Sequence, residues 1–376
     1  MAMTVNLTSR RDTFSTSTAG TIFNALPSTS DGSQINTLNA GDFLTDTAGD
    51  GVLNFTAVDG LGNPPFAHNV SMIGIQTVNI TNEAATWGRG VAGFQGDVVG
   101  LTTVNDNKSL ATVQLGGMGQ GLATPLTNVN INGYAGTNGD TIFTAFIATA
   151  VGSASNTINV SIAGAVGDRA LGHADKLTFM TDRGMGTINS PNLSYGTWSI
   201  TADSPSYLQL QQGGVGGVTS LKLSGAGFFI LGADAPAAWQ NLTTIDASGS
   251  IGGVTILGAA SYLGTTLPVA FDLNPGGLFG SAAGLLTGNT SLTKFIGSPT
   301  GPNILDVSNF TTESQLASLT AIGNNVVTNQ ILVSSALADT TSPTTWAWDH
   351  WFSNGQCCGS LRHHQHGKFA SFNSHD

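Results

Sequence analysis

The chain has 376 residues, of which 9% are charged and 50 are glycine, and eleven Lys and Arg stand against twenty-two Asp and Glu for a net charge of −11. A typical soluble domain is roughly 25% charged, and a face that grips phosphates or an anionic membrane needs an excess of Lys and Arg. Nucleic-acid binding is therefore excluded, and a hydrophobic content of 40% excludes a disordered chain. No stretch reaches the roughly 20 apolar residues of a membrane span, the segment from Thr141 coming nearest, so no membrane insertion is expected. The N-terminus MAMTVNLTSRRDTF lacks the apolar core of a cleavable secretory signal. Cys357 and Cys358 are the only cysteines, so residues 1–356 hold no disulfide and no Cys-based metal site.

Residues 1–60 form an opening block that ends in AGDFLTDTAGDGVLNF, with Asp42, Asp46 and Asp50 four residues apart beside Gly41, Gly49 and Gly51. Such glycines let the backbone turn so that carbonyls and carboxylates converge on a hard cation, which takes six to eight oxygens at about 2.3–2.6 Å. The segment is a degenerate form of the calcium-binding nonapeptide GGxGxDxUx: the doubled glycine is missing and Asp50 comes one place early. A second Gly-Asp cluster, GDRALGHADKLTF, adds Asp168 and Asp175. These five aspartates are the candidate Ca²⁺ ligands. The alternative is that they cap turns through side-chain to backbone bonds.

Residues 61–302 are built from short alternating segments such as QTVNI at Gln76, ATVQL at Ala111, TINVSI at Thr157, SLKL at Ser220 and GVTIL at Gly253, which predict strands. One phrase recurs as IQTVNI, LTTVN, LTNVNI, VTSLKL, LTTIDA and LTKFIG. Its central apolar residues are Val78, Val104, Val129, Leu221, Ile245 and Phe295, with gaps of 26, 25, 92, 24 and 50. Taking 92 as four coils and 50 as two gives one period of roughly 23–26 residues, which signals a solenoid. The expected fold is all-β, a right-handed parallel β-helix with two or three strands per coil, Gly and Asn at the corners, and Thr or Asn stacked between coils. A β-sandwich array is the alternative, although it would show turn signals without a recurring phrase.

Residues 303–341 predict a terminal capping unit, in which TESQLASLTAI places Leu316, Leu319 and Ile322 at helical spacing. Composition changes in residues 342–376, which hold both Cys, three of the six Trp and five of the seven His. His350, Cys357, Cys358, His363, His364 and His366 offer soft and imidazole metal ligands, but adjacent cysteines do not match CxxC spacing, and this tail is expected to be disordered.

The order Asp-Thr-Phe, Thr-Ala-Gly, Phe-Asn-Ala, Thr-Leu-x-Ala-Gly-Asp and Gly-Asp-Gly-Val-Leu-Asn-Phe, followed by the LTxVN phrases, is similar to the β-solenoid region of S-layer proteins of the Caulobacter type and of RTX-like surface proteins. The resemblance implies a secreted bacterial cell-surface protein, exported by type I secretion, that forms a homo-oligomer or lattice, is ordered by calcium, and contacts cell-surface polysaccharide. The anchoring region and the Asp-rich C-terminal repeats of that family are not recognisable here.

Enzymatic activity is not expected. Glu83 and Glu313 are the only glutamates, no GxSxG elbow accompanies His68 or His173, and the pairs Asp97 with Asp106 and Asp203 with Asp234 would have to meet across coils to act as acid and base. His68 follows Pro64 and Pro65, which predicts a loop. The rival function is a tailspike-like or polysaccharide-binding β-helix that presents Trp87, Trp198 and Trp239 to a glycan.

Overall fold

The computed structural model describes residues 2–30, 33–59, 64–84, 91–118, 126–136, 141–147, 157–167, 174–181, 195–213, 217–233, 236–258, 283–307, 309–324, 329–332, 359–363 and 369–374. It is a parallel β-solenoid that falls into two compact units. The first comprises Met1–Ala165, Asp175–Gly196 and Gln211–Gly214, and the second Val166–Ala174, Thr197–Leu210 and Val215–Asp376.

The recurring phrase makes one corner and one strand. In LTTVN, Leu101 turns into the interior and is 2% exposed, Thr102 forms the corner, and Val104 begins the alternation of buried and outward side chains. The backbone N–H and the hydroxyl of Thr102 both donate to the carbonyl of Gln76 one coil back, at 3.0 and 3.4 Å. Thr127 does the same to Thr102 at 2.9 and 3.2 Å, and Thr243 to Thr219 at 3.0 and 3.0 Å. Where the phrase begins Leu-Thr or Val-Thr, a buried aliphatic residue and a β-branched residue recur at the same corner, whereas Ile75 and Gln76 take those places in their coil.

In the first unit the chain alternates between two parallel sheets, so each coil contributes one strand to each. The first sheet stacks Thr4–Asn6, Ile22–Ala25, Gly51–Ala57, Ile75–Asn82, Thr103–Asn107, Asn128–Asn132 and Thr157–Ala163. The second stacks Thr13–Thr16, Phe43–Asp46, Phe66–Ile73, Ala92–Val99, Val113–Met118, Thr141–Ile147 and Asp175–Thr181. A small antiparallel hairpin, Ser28–Ser30 with Ser33–Ile35, leaves the stack.

The core is columnar. Val5, Phe23, Leu53, Val78, Val104, Val129 and Val160 are in register one above another and all buried. Two residues further along the strands lie Ala25, Phe55, Ile80, Asp106, Ile131 and Ile162. Inward residues of the second sheet include Ala67, Phe94, Leu115, Ala145 and Phe179, again in register. Each fully buried Val, Leu, Ile or Phe side chain contributes about 1.5–3 kcal/mol, and in-register stacking lets every coil bury what it could not bury alone.

The second unit repeats the plan, with Trp198, Leu221, Ile245, Phe295 and Ala321 as the buried column of its first sheet. Trp198 and Trp239 are both fully buried, with ring centroids 5.4 Å apart. In its second sheet Ser206–Gln212 pairs in parallel with Phe229–Ala233, followed by Val254–Ile256, Asn303–Asp306 and Asn329–Leu332. From the tail, Phe369–Ser374 pairs antiparallel with Asn329–Leu332 and with Gly359–His363.

Most coil steps fall within the expected period, but the arithmetic on the two long gaps is overturned. Val129 pairs with Val160, 31 residues on, so the 92-residue gap is not four coils of 23. Ile245 pairs directly with Phe295, so 50 residues make one coil. The reason is entropic: closing a longer loop costs only about 0.6 kcal/mol per doubling, so a longer connection is compatible with the same pairing of the strands. The helix is one turn, Glu313–Ala317, in the connection between Asn303–Asp306 and Thr320–Ile322. Thr312 and Gln315 form its capping box; Leu316 and Leu319 are buried, while Ile322 belongs to the next strand.

Candidate functional site

The outer side of the first sheet of the first unit is a regularly hydrogen-bonded surface. Asn6, Asn24, Asn54, Asn79, Asn105 and Asn130 occupy the same outward position in six successive coils. Each Nδ2 donates to the Oδ1 of the Asn one coil back: Asn24 to Asn6 at 3.0 Å, Asn54 to Asn24 at 2.8, Asn79 to Asn54 at 2.8, Asn105 to Asn79 at 2.6 and Asn130 to Asn105 at 2.7. Adjacent strands lie about 4.8 Å apart, a spacing that a primary amide bridges with one hydrogen bond, as in stacked Asn ladders. Shorter ladders flank it, from Asn132 to Asn107 at 2.8 Å and from Asn159 to Asn128 at 3.2 Å.

An amide has two donors and two acceptor lone pairs, so a ladder Asn still has one N–H and one lone pair for an outside partner. The face is also uncharged. Across the seven strands of this sheet Asp106 is the only charged residue, and it points inward, 1% exposed.

The Gly-Asp corner behaves differently. Asp42 is fully buried; its Oδ1 accepts from the Asp12 backbone N–H and its Oδ2 from that of Asn39, both at 2.8 Å. Burial pushes its carboxyl above the ordinary carboxylate range, Asp12 adding to the rise and the two N–H donors and Arg11 opposing it. Asp12 accepts from Thr8, and Arg11 Nε donates to the Gly41 carbonyl at 2.7 Å, which ties the corner together. Asp50 is exposed and accepts from Gly20 N–H at 2.8 Å, while Asp46 accepts from Ala48 N–H at 3.1 Å and keeps a buried Oδ2 without a partner.

Asp42, Asp46 and Asp50 thus each accept from backbone N–H groups, as turn-capping aspartates do. Asp175 is fully buried in its strand, and Asp168 lies outside the described residues. Among the described residues no group of three or more His, Cys, Asp and Glu stands close enough to hold a metal ion.

Asp97 is exposed on the second sheet and Asp106 is buried in the first; Glu83, Asp203 and Glu313 are exposed, and Asp234 lies outside the described residues. His68 sits in the strand Phe66–Ile73 and not in a loop, exposed, with its ring 4.9 Å from that of Phe66. His173 lies outside the described residues, as do His350, Cys357, Cys358, His364 and His366; His363 ends the strand Gly359–His363.

Trp198 and Trp239 cannot serve as glycan platforms, because both are core residues whose neighbours in the β-rich second unit exclude solvent; Trp87 lies outside the described residues. Among the described residues no helix is long and apolar enough to cross a membrane.

Sequence reasoning expected Thr and Asn to stack but did not single out the six asparagines, although the x in V-x-I of the repeated phrase is Asn at 79 and 130. No protein-family model, curated protein or solved structure matches this chain.

Proposed function

We propose that this is a structural, self-assembling protein of a bacterial cell surface, of the S-layer or RTX-adhesin kind, which binds further copies of itself and cell-surface polysaccharide through the Asn-lined face. The observation that carries the reading is that face: uncharged in a chain of net charge −11, with amide donors and acceptors left over along six coils. Like-charged copies repel, so an uncharged, amide-lined strip is where two of them can meet at least cost.

Seven strands at about 4.8 Å and three outward positions per strand give a strip of roughly 30 by 15 Å, on the order of 450 Å². That is below the roughly 800 Å² per partner of a stable pair. Single contacts are therefore weak, and assembly depends on many copies acting together, as in a lattice.

Light scattering and sedimentation across concentration test the proposal. The wild type should self-associate reversibly, and Asn79→Asp with Asn130→Asp, which place like charges on the strip, should abolish association while leaving the circular dichroism spectrum intact. Association unchanged in that variant refutes the reading. Calcium stabilisation is a separate arm of the same proposal: a melting temperature raised by millimolar Ca²⁺ and lowered by EGTA supports it, and a melting temperature indifferent to both removes it.

A further inference from the structure

Asp106 is out of place. It stands in an inward column whose neighbours above and below are Ile80 and Ile131, both fully buried, and it is itself 1% exposed. Its Oδ1 accepts from the hydroxyl of Ser109, also fully buried, and its Oδ2 has no partner. Ser109 in turn accepts from the backbone N–H of Asn82 at 2.9 Å, so a chain of bonds runs from Asn82 through Ser109 to Asp106 and fastens the corner after Thr103–Asn107 to the coil before it. The same corner holds Lys108 in the left-handed region at φ 53 and is bound to the flanking coils through Leu110 N–H to the Asn82 carbonyl and Lys108 N–H to the Asn132 carbonyl.

An ionised carboxylate in this column would sit in an aliphatic surround with one hydroxyl to solvate it, a costly arrangement unless it is paired. Among the described residues no charge stands ready to pair with it. The strands Ile75–Asn82, Asn128–Asn132 and Val113–Met118 carry no titratable residue. Ala92–Val99 carries Asp97, which is exposed, and in the connections Glu83 and Lys108 are exposed and Tyr134 is half-buried.

We propose that this corner is a proton-operated latch, closed while the Asp106 carboxyl is neutral and loosened when it ionises. The neutral form places no charge in a buried site that has no cation among the described residues, whereas the ionised form gains by opening the corner to water. Burial pushes this carboxyl up to about 7, with the Ser109 hydroxyl pulling in the opposite sense. A group raised in the folded state contributes stability that is complete below its unfolded value, here 3.8, and lost as pH climbs through about 7. The latch is therefore tight in acid and slack in mild alkali.

The test is hydrogen exchange of the full-length protein at pH 5.5, 7.0 and 8.5, corrected for the intrinsic rate. Opening of the amides of residues 107–112 should rise about 30-fold from pH 5.5 to 8.5, the ratio for a carboxyl that ionises near 3.8 when open and near 7 when closed. In Asp106→Asn that pH dependence should vanish, while amides of the strand Thr4–Asn6 behave as in the wild type. Equal pH dependence in wild type and variant overturns the proposal. If Asp106→Asn fails to fold, the carboxyl carbon of Asp106 in the wild type, followed by NMR, decides the matter: a midpoint near 4 overturns the latch, and one near 7 supports it.

Discussion

Asn79→Ala is the sharpest probe of what holds successive coils together. The change removes two hydrogen bonds, the one Asn79 donates to Asn54 at 2.8 Å and the one it accepts from Asn105 at 2.6 Å. A net hydrogen bond contributes about 0.5–1.5 kcal/mol. Asn54 and Asn105 are half-exposed and can recruit water once the partner is gone, which places each bond in the lower part of that range. The expected loss is about 1–2 kcal/mol. Asn6→Ala removes a single bond of 3.0 Å at an exposed residue, for a loss of about 0.5 kcal/mol. Urea unfolding of the two full-length variants, followed by far-ultraviolet circular dichroism, measures both numbers. If Asn79→Ala is no more destabilising than Asn6→Ala, the ladder is a decoration of the sheet and not part of what joins its coils.

Gly74 has φ +74, and a Cβ there would lie 1.9 Å from the Asp46 carbonyl oxygen, so Gly74→Ala should lower stability by more than the roughly 1 kcal/mol of an ordinary left-handed position and is read by thermal melting. Trp198→Ala should cost about 3–5 kcal/mol and flatten the near-ultraviolet dichroism of the buried Trp198 and Trp239 pair. Thr127→Val keeps the branched shape but loses two bonds of the hydroxyl, the one it donates to the Thr102 carbonyl and the one it accepts from Asn128 Nδ2, for an expected loss of about 1–2 kcal/mol in urea unfolding, while the backbone N–H bond to the Thr102 carbonyl survives.

The solenoid was legible because one chemical demand recurs at every coil. Val78, Val104 and Val129, picked out by aligning a phrase, prove to be consecutive members of one column, as do Leu221, Ile245 and Phe295 in the second unit. Coil length was not legible, because the length of a connection alters neither the column nor its spacing. Trp198 was misjudged for a related reason: it takes the place that Val or Leu holds in the other coils, and a large aromatic in a short polar phrase reads as a surface residue unless its register is known. The signal for Asp106 was present in the letters, since LTTVND puts Asp where IQTVNI and LTNVNI put Ile. Only the depth of the column shows that this one exchange buries a carboxyl. For the aspartates of the Gly-Asp corner, what the letters alone did not show is which backbone N–H groups they accept from: Asp12 and Asn39 for Asp42, Ala48 for Asp46 and Gly20 for Asp50.

The direct pairing of Ile245 with Phe295 across 50 residues bears on how such a protein can change. Because Thr244, Ile245 and Asp246 stay paired with Lys294, Phe295 and Ile296 across that length of chain, the connection between them is a natural graft site. A foreign peptide or small domain inserted there should leave the coils that carry it undisturbed, and lineages of this chain could gain or lose inserted segments between strands while the Asn-lined face stays unaltered.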